Sequence, residues 1–343
     1  MKVSIIGSGS TALAAASFLK FKKIPVKVYV RNKEKLDVWN EAPLQVRGKI
    51  DTDFYVPVSS RLQEAIDFAD ILMICTRAND HEAVTQEIAP YMHKNQCLLF
   101  MNGCWGAVKA YRFFQKTYGG FPTAIAETAN MPFMASLSSD FRSLEFKAMK
   151  EEIGYSCIGE EGDLSQLLHQ IAPKVSRVSS PASTSLSATN PIIHGAQCLF
   201  NITRMENGED FSFFGPPLTS HVADFIEACD KERLAIGKAL GLELSSLIDV
   251  LNSFWGSRFT SLHDALTQNP SYQTVKGPIS LESRYLTEDL PCGLTSLMDL
   301  ADMMHIEAPH ICALVYTTGL YLQKPYHPFL TLQDLRVIKA LNK

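Results

Sequence analysis

The sequence has no excess of positive charge, no cysteine framework and no long apolar run, and each absence removes a class of function. Lys and Arg number 32 against 36 Asp and Glu, a formal net charge of −4 over 343 residues. No dense Lys/Arg tract with interleaved aromatics occurs. The attraction that would draw the chain to nucleic acid or to an anionic membrane is therefore missing. Eight cysteines are scattered at Cys75, Cys97, Cys104, Cys157, Cys198, Cys229, Cys292 and Cys312. None forms C-x-x-C and none sits with a nearby His at zinc spacing, so neither a disulfide scaffold nor a metal site is expected. Most lie in apolar runs, where cysteine behaves as a small hydrophobe, and a reducing cytoplasm is the expected compartment. Lys2 and the apolar residues after it superficially resemble a signal peptide. Gly7, Ser8, Gly9 and Ser10 break that run too early, and no transmembrane-length run follows. There is no internal repeat and no low-complexity tract.

What remains is an ordinary globular composition, 46% hydrophobic and 20% charged, long enough for two domains and a large core. The first half alternates. Lys2–Ile6 is a short apolar run, GSGSTA follows, Leu13–Leu19 reads as a helix, and Pro25–Val30 as a second strand. Strand, Gly-rich turn, helix and strand within about 30 residues is the context a dinucleotide fingerprint requires. Gly7 allows the tight turn and Gly9 lets the backbone approach a pyrophosphate. Ala12 stands where a third glycine often stands and still permits close helix–strand packing. The phosphates would meet free N–H groups at the helix start, around Ser10 and Thr11.

The end of the second strand selects between cofactors. An acidic residue there would accept from the ribose 2′-hydroxyl of NAD; here the run is Val30-Arg31-Asn32-Lys33. A cation pairs instead with a 2′-phosphate, so NADP is preferred, with Arg31 as main ligand and Asn32 or Lys33 assisting. NAD is the alternative, in which Arg31 is merely exposed and stacks on the adenine. Further strands are read at Ile71–Cys75, Cys97–Phe100 and Thr123–Ala126, with two or three short ones in Phe141–Ile158 and helices at Val84–Tyr91 and Gly162–Ile171. Ligands bind at the carboxyl ends of such strands, which points to Thr76, Asn102 and Thr128; each could equally cap a loop.

The Ser/Thr-rich stretch Lys174–Thr189 reads as a boundary between a doubly wound, mostly parallel α/β Rossmann domain (1–176) and an all-α domain (187–343). Helices are read at Asn190–Asn207, His221–Leu240, Ser245–Phe254, Ala301–Thr318 and Thr331–Leu341. The run Asp230-Lys231-Glu232-Arg233 reads as a solvated helix face.

The first of these helices organises the functional reading. Asn190 is expected as N-cap, Pro191 at the first helical position and Gly208 as the stop. Asn190, His194, Gln197 and Asn201 recur at i, i+4, i+7 and i+11, one helical face. The stripe carries no Lys, Asp or Glu before Arg204, so it reads as the polar wall of a cleft with one titratable group, His194. Near the other end, Ser280–Leu294 (SLESRYLTEDLPCGL) packs Arg284, Glu288 and Asp289 around Tyr285 and Leu286 and is closed by Pro291 and Gly293. It reads as a binding loop, or else as an exposed turn with internal salt bridges.

Four motifs together resemble the octopine/nopaline (opine) dehydrogenase family: GSGSTA at Gly7–Ala12, IAETANMPF at Ile125–Phe133, NPIIHG at Asn190–Gly195 and RYLTEDLPCGL at Arg284–Leu294. The last two are the more specific. The resemblance implies a Rossmann domain followed by a helical domain. It also implies a reaction in which NAD(P)H reduces the imine formed between an amino acid and a 2-oxo acid. His194 would be the proton-transfer group, Asp289 its acidic partner and Arg284 the residue holding a substrate carboxylate. The chain is shorter than many members. Asn190, Gln197 and Asn201 would line the substrate site.

The residues suit that chemistry on their own terms. Hydride transfer belongs to the cofactor, and the protein must position it and manage a proton. A histidine is the natural proton donor or acceptor near neutral pH. A carboxylate would orient it, and an arginine offers a bidentate fork for a carboxylate substrate. Two other readings are weighed. A ketopantoate-reductase-like or 3-hydroxyacid oxidoreductase would lean on a lysine in the second domain's first helix, which has none. A non-catalytic NADP-binding sensor would not need His194, Arg284 and Asp289 to converge. Small-molecule substrates are the expected partners, and a homodimer is allowed for.

Overall fold

The computed structural model describes residues 1–120, 122–324 and 326–342. The chain divides into two compact units, Met1–Ser185 and Leu186–Lys343.

The first unit carries twelve strands among its described residues: β1 (Val3–Ile6), β2 (Val26–Tyr29), β3 (Leu44–Gly48), β4 (Thr52–Phe54), β5 (Val58–Ser59), β6 (Ile71–Ile74), β7 (Cys97–Phe100), β8 (Ala124–Thr128), β9 (Phe133–Leu137), β10 (Ser143–Met149), β11 (Glu152–Gly159) and β12 (Lys174–Arg177). Eight form one sheet in the order β12-β11-β8-β7-β6-β1-β2-β5. From β5 to β8 all neighbours are parallel, and β11 joins β8 antiparallel. Strands β1, β6 and β7 are buried along their whole length, which is why they read as unbroken apolar runs.

The expected N-terminal architecture is present, and with it a second sheet that the sequence reading lacks. Strands β4, β3, β10 and β9 form a separate four-stranded sheet. Its edges are short, and β10 meets β3 in parallel across about a hundred residues of chain, a pairing no local pattern announces. Phe133 on β9 packs against Phe18 of the Ser10–Phe21 helix, with ring centroids 5.3 Å apart. Of the strands expected in Phe141–Ile158, β10 belongs to this second sheet and β11 extends the main one. The Lys174–Thr189 stretch is ordered: it contains β12 and a Pro181–Leu186 helix.

The second unit is helical, apart from one isolated bridge between Ser212 and Lys276. No helix among the described residues is long and apolar enough to cross a membrane. Two expected helices divide. Asn190–Phe200 ends where Asn201 leaves helical geometry, and Ile202–Glu206 follows. The span read as Ala301–Thr318 is Thr295–Met304 and Pro309–Tyr321, parted at His305, which takes a left-handed conformation (φ 57°).

The charge run in the Ser220–Ala239 helix is not a solvated face. Asp230, Glu232 and Arg233 are buried, and of the four only Lys231 faces water. Arg233 Nε donates to Asp230 Oδ1 at 2.8 Å, and its other nitrogens donate to the carbonyls of Leu186 and Ser245. Glu232 accepts from the backbone N–H groups of His310 and Ile311 at the start of the Pro309–Tyr321 helix, where a carboxylate offsets orphan donors and the positive helix end. Charge alone does not decide exposure when each charge has a partner.

Candidate active site

The Gly-rich turn lies between β1 and the Ser10–Phe21 helix. Gly7 sits at φ +136°, and a Cβ there would lie 2.7 Å from the Cys75 carbonyl, so glycine is required at this close crossing of β1 and β6. Gly9 caps the helix without a side-chain hydrogen bond, and a Cβ added to it would meet nothing within 4 Å. The helix start thus opens onto free space at Gly9, the arrangement a pyrophosphate fits. Ala12 is fully buried, as close helix–strand packing demands. Ser10 is not wholly available: its Oγ accepts from Leu137 N–H at 3.1 Å, tying the helix start to β9.

Beyond β2, Arg31 is 65% exposed at the side chain and lies 3.8 Å from Glu87, a loose surface pair. Asn32 is the N-cap of the Lys33–Glu41 helix, its side chain accepting from Lys35 N–H at 2.9 Å. A cation that sequence reasoning passed over, Lys35, donates to the Ser8 carbonyl of the Gly-rich turn at 2.6 Å.

At the carboxyl ends of the central strands, the three named residues differ. Thr76 Oγ1 is screened from solvent and has no hydrogen-bond partner among the described residues, a polar atom in want of one after β6. Thr128 is fully buried, its Oγ1 accepting from Asn102 N–H at 2.9 Å and its carbonyl from Gly103 N–H. It therefore shapes the neighbouring loop rather than facing a ligand. In that loop Asn102, Cys104 and Trp105 all hold positive φ (61°, 40° and 69°). Left-handed backbone at three such residues costs free energy and persists only where the surroundings impose it. Here the surroundings include Glu127, a buried carboxylate not anticipated from sequence. It accepts from Ala107 N–H, Thr184 Oγ1 and Ser185 Oγ, while Ser185 Oγ also accepts from Trp105 N–H. Burial pushes the Glu127 carboxyl above its usual range, opposed by these donors.

In the second unit, His194 and Asp289 meet. His194 Nδ1 lies 2.7 Å from Asp289 Oδ2, across 95 residues of sequence, and both residues are buried. The helix that carries His194 begins at Asn190, with Thr189 as its cap residue. The expected N-cap role for Asn190 is thus displaced by one residue, and Pro191 sits in the first turn. The partner segment is not a loop. Tyr285–Leu294 forms a π-helix that runs directly into Thr295–Met304. Pro291 and Gly293, residues that usually end helices, lie inside it, because tertiary packing outweighs their local preference. A Cβ on Gly293 would lie 2.3 Å from Pro191, and one on Gly195 would lie 2.4 Å from Leu294. The two glycines let the segments approach closely enough for imidazole and carboxylate to bond.

Arg284 stands at the start of the π-helix with its guanidinium half-exposed, 4.0 Å from Glu288 and 5.9 Å from the centre of the Tyr285 ring. It is the one expected substrate-binding side chain here that keeps a charged group towards solvent. Gln197 and Asn201 do not line an open wall. Gln197 is fully buried, its Nε2 donating to the Phe213 carbonyl, and Asn201 Nδ2 donates to the Gln197 carbonyl at 3.0 Å. Phe200, on the same helix, is exposed. A helix wrapped by neighbours on several sides buries polar residues too, provided that they find backbone partners.

A parallel sheet with a G-x-G-x-x-A turn, followed by a helical unit holding a His–Asp pair, defines the chain as an NAD(P)-dependent oxidoreductase. Residues 177–319 match the family model of the NAD/NADP octopine/nopaline dehydrogenase α-helical domain, and residues 3–126 match that of ketopantoate reductase PanE/ApbA. The chain is 26% identical to an opine dehydrogenase of Arthrobacter sp. (strain 1C) over 322 residues, covering 91% of this chain and 88% of the relative. It is 25% identical to a D-nopaline dehydrogenase of Agrobacterium vitis, over 90% and 83% of the two chains. Among solved structures, octopine dehydrogenase in complex with NADH and agmatine superposes with a TM-score of 0.80 at 17% identity, covering 99% of this chain and 94% of that one. Yersinopine dehydrogenase with NADP+ bound gives 0.74 at 15% identity, over 100% and 98%. The helical unit thus matches the octopine/nopaline dehydrogenase model, and the chain is similar over about nine-tenths of its length to dehydrogenases of that family.

Proposed function

We propose that this chain is an opine-type dehydrogenase in which His194, oriented by Asp289, manages the proton while NADPH is the preferred reductant. When bound, the nicotinamide supplies a hydride to the carbon of the imine formed between an amino acid and a 2-oxo acid. The observation that carries the reading is the buried 2.7 Å contact between His194 Nδ1 and Asp289 Oδ2. A carboxylate on Nδ1 holds one tautomer and stabilises the imidazolium, leaving Nε2 to give a proton to the substrate nitrogen. Arg284, half-exposed at the head of the same π-helix, is suited to bind a substrate carboxylate through a bidentate fork. The amides at Ser10 and Thr11 would hold the pyrophosphate, and Thr76 and Asn102 would face the nicotinamide half. The eight cysteines, free in the structure, suit a reducing, cytoplasmic setting.

The test is a screen of NADPH oxidation with pyruvate, oxaloacetate and 2-oxoglutarate against a panel of amino acids, with product masses determined. The expected product is a secondary amine dicarboxylate with a new C–N bond, formed only when both substrates are present. Oxidation that needs the 2-oxo acid alone and yields a hydroxy acid would instead make the chain a simple oxo-acid reductase.

NADPH preference rests on Arg31, which is exposed and in loose contact with Glu87. Arg31→Asp is expected to reverse the preference toward NADH, by on the order of tenfold or more in kcat/KM ratio, the worth of a lost charge-assisted phosphate contact. A parent enzyme that already favours NADH would remove this argument.

A further inference from the structure

Tyr285 lies flat against the His194 imidazole, with ring centroids 3.9 Å apart and planes inclined by 27°. Tyr285 and Asp289 are four residues apart on the same π-helix, so one element supplies both the carboxylate at the ring edge and the aromatic surface on its face. Phe213 closes on both rings, 5.9 Å from the His194 centroid and 5.2 Å from that of Tyr285. Its carbonyl is held in turn by Gln197, one turn further along the helix of His194.

From this geometry we infer that Tyr285 is a positioning residue for His194: its ring face fixes the imidazole plane and favours the protonated imidazole. The inference rests on the proton-transfer reading of His194. An aromatic ring carries negative charge density on its face, and a cation stacked there is stabilised. The phenol does not compete as an acid or base, because burial raises its pKa to about 12 and it stays neutral in the working range. With Asp289 on Nδ1 and Tyr285 on a face, the plane of the ring and the direction of Nε2 are both determined, which is what in-line proton delivery requires.

The other ionisable groups near this ring are few. Arg284 and Glu288 lie in the same π-helix, 4.0 Å from each other. Cys198 is one turn along the His194 helix, and burial raises its thiol so that it stays protonated. The Ser220–Ala239 and Pro309–Tyr321 helices also pack on the His194 helix. Their buried groups are engaged with one another, Asp230 with Arg233 and Glu232 with His310. The Phe211–Phe214 segment brings Asp210, which pairs with Lys276.

The experiment is an NMR titration of the His194 imidazole in the free enzyme, with Tyr285→Leu and Tyr285→Phe beside the parent, together with the pH profile of kcat for imine reduction. Tyr285→Leu is expected to lower the His194 pKa by about half to one pH unit, and Tyr285→Phe, which keeps the stack, to leave it at the parent value. Reduction needs the protonated ring, so the fall of kcat at high pH should move down by the same amount in the Leu variant only. A Leu variant that is folded by circular dichroism and titrates like the parent overturns the proposal, as does a Phe variant that shifts as much as Leu. If the NMR shift appears but the kcat profile stays still, the stacking effect stands and the assignment of proton transfer to His194 falls.

Discussion

Replacing His194 by alanine is expected to lower kcat for imine reduction by roughly 10²–10⁴, the usual worth of a general acid–base group, with NADPH binding unchanged. The reason is local. His194 is buried, its Nδ1 is taken by Asp289 at 2.7 Å, and an imidazole is the side-chain type suited to move a proton near neutral pH. Alanine removes the donor and leaves Asp289 without its partner, so the variant should be paired with a thermal melt to separate lost chemistry from lost fold. The G-x-G-x-x-A turn lies in the other unit, so a binding assay by nucleotide fluorescence should be indifferent to the change. Retained binding with lost turnover supports the proton-transfer reading. Undiminished turnover would return the chain to a role in which His194 is structural.

The second large effect concerns stability. Arg233→Ala is expected to destabilise the helical unit by about 3–5 kcal/mol, the cost of stripping one partner from a buried charge pair. For a unit of this size that corresponds to a fall in Tm on the order of 10 °C. Arg233 serves Asp230 and the carbonyls of Leu186 and Ser245, while Asp230 also accepts from Leu247 N–H at 2.9 Å. Removing the guanidinium leaves a buried carboxylate and two carbonyls with fewer donors. The neighbouring Lys231→Ala, at an exposed position, serves as control and should change stability by less than about 0.5 kcal/mol. Equal melting of the two variants would mean that water replaces the lost bonds.

These two positions also show where sequence reading succeeds and where it stops. The pairing of His194 with Asp289 is expected because the NPIIHG and RYLTEDLPCGL motifs resemble a family, not because spacing connects them. Ninety-five residues of sequence carry no information about a 2.7 Å contact. Arg233, by contrast, lies in a run of charges that looks solvated on a helical wheel. Its burial depends on carbonyls contributed by residues 47 and 12 positions away. The same limit explains Gln197 and Asn201. Their spacing with His194 is legible in the sequence, but the orientation of that helix against the Phe213 segment is not. It also explains the π-helix, since Pro291 and Gly293 signal a loop until Pro191 and Leu294 are seen packed against this turn and its neighbour. The Asn102–Trp105 loop is a further case. Three left-handed residues in four positions are held by Thr128, Glu127 and Ser185, all remote in sequence.

What the chain's order of residues determined alone is whatever is written in local period and local chemistry. The apolar strands β1, β6 and β7, the glycine turn after β1 and the cation after β2 each follow from a handful of consecutive residues, because backbone freedom and side-chain alternation act over a few ångströms. Tertiary structure alone decided which polar groups are buried, which helix faces which, and that Tyr285 lies flat on His194. Those outcomes depend on the desolvation and partnering of groups far apart along the chain, and no short-range term encodes them.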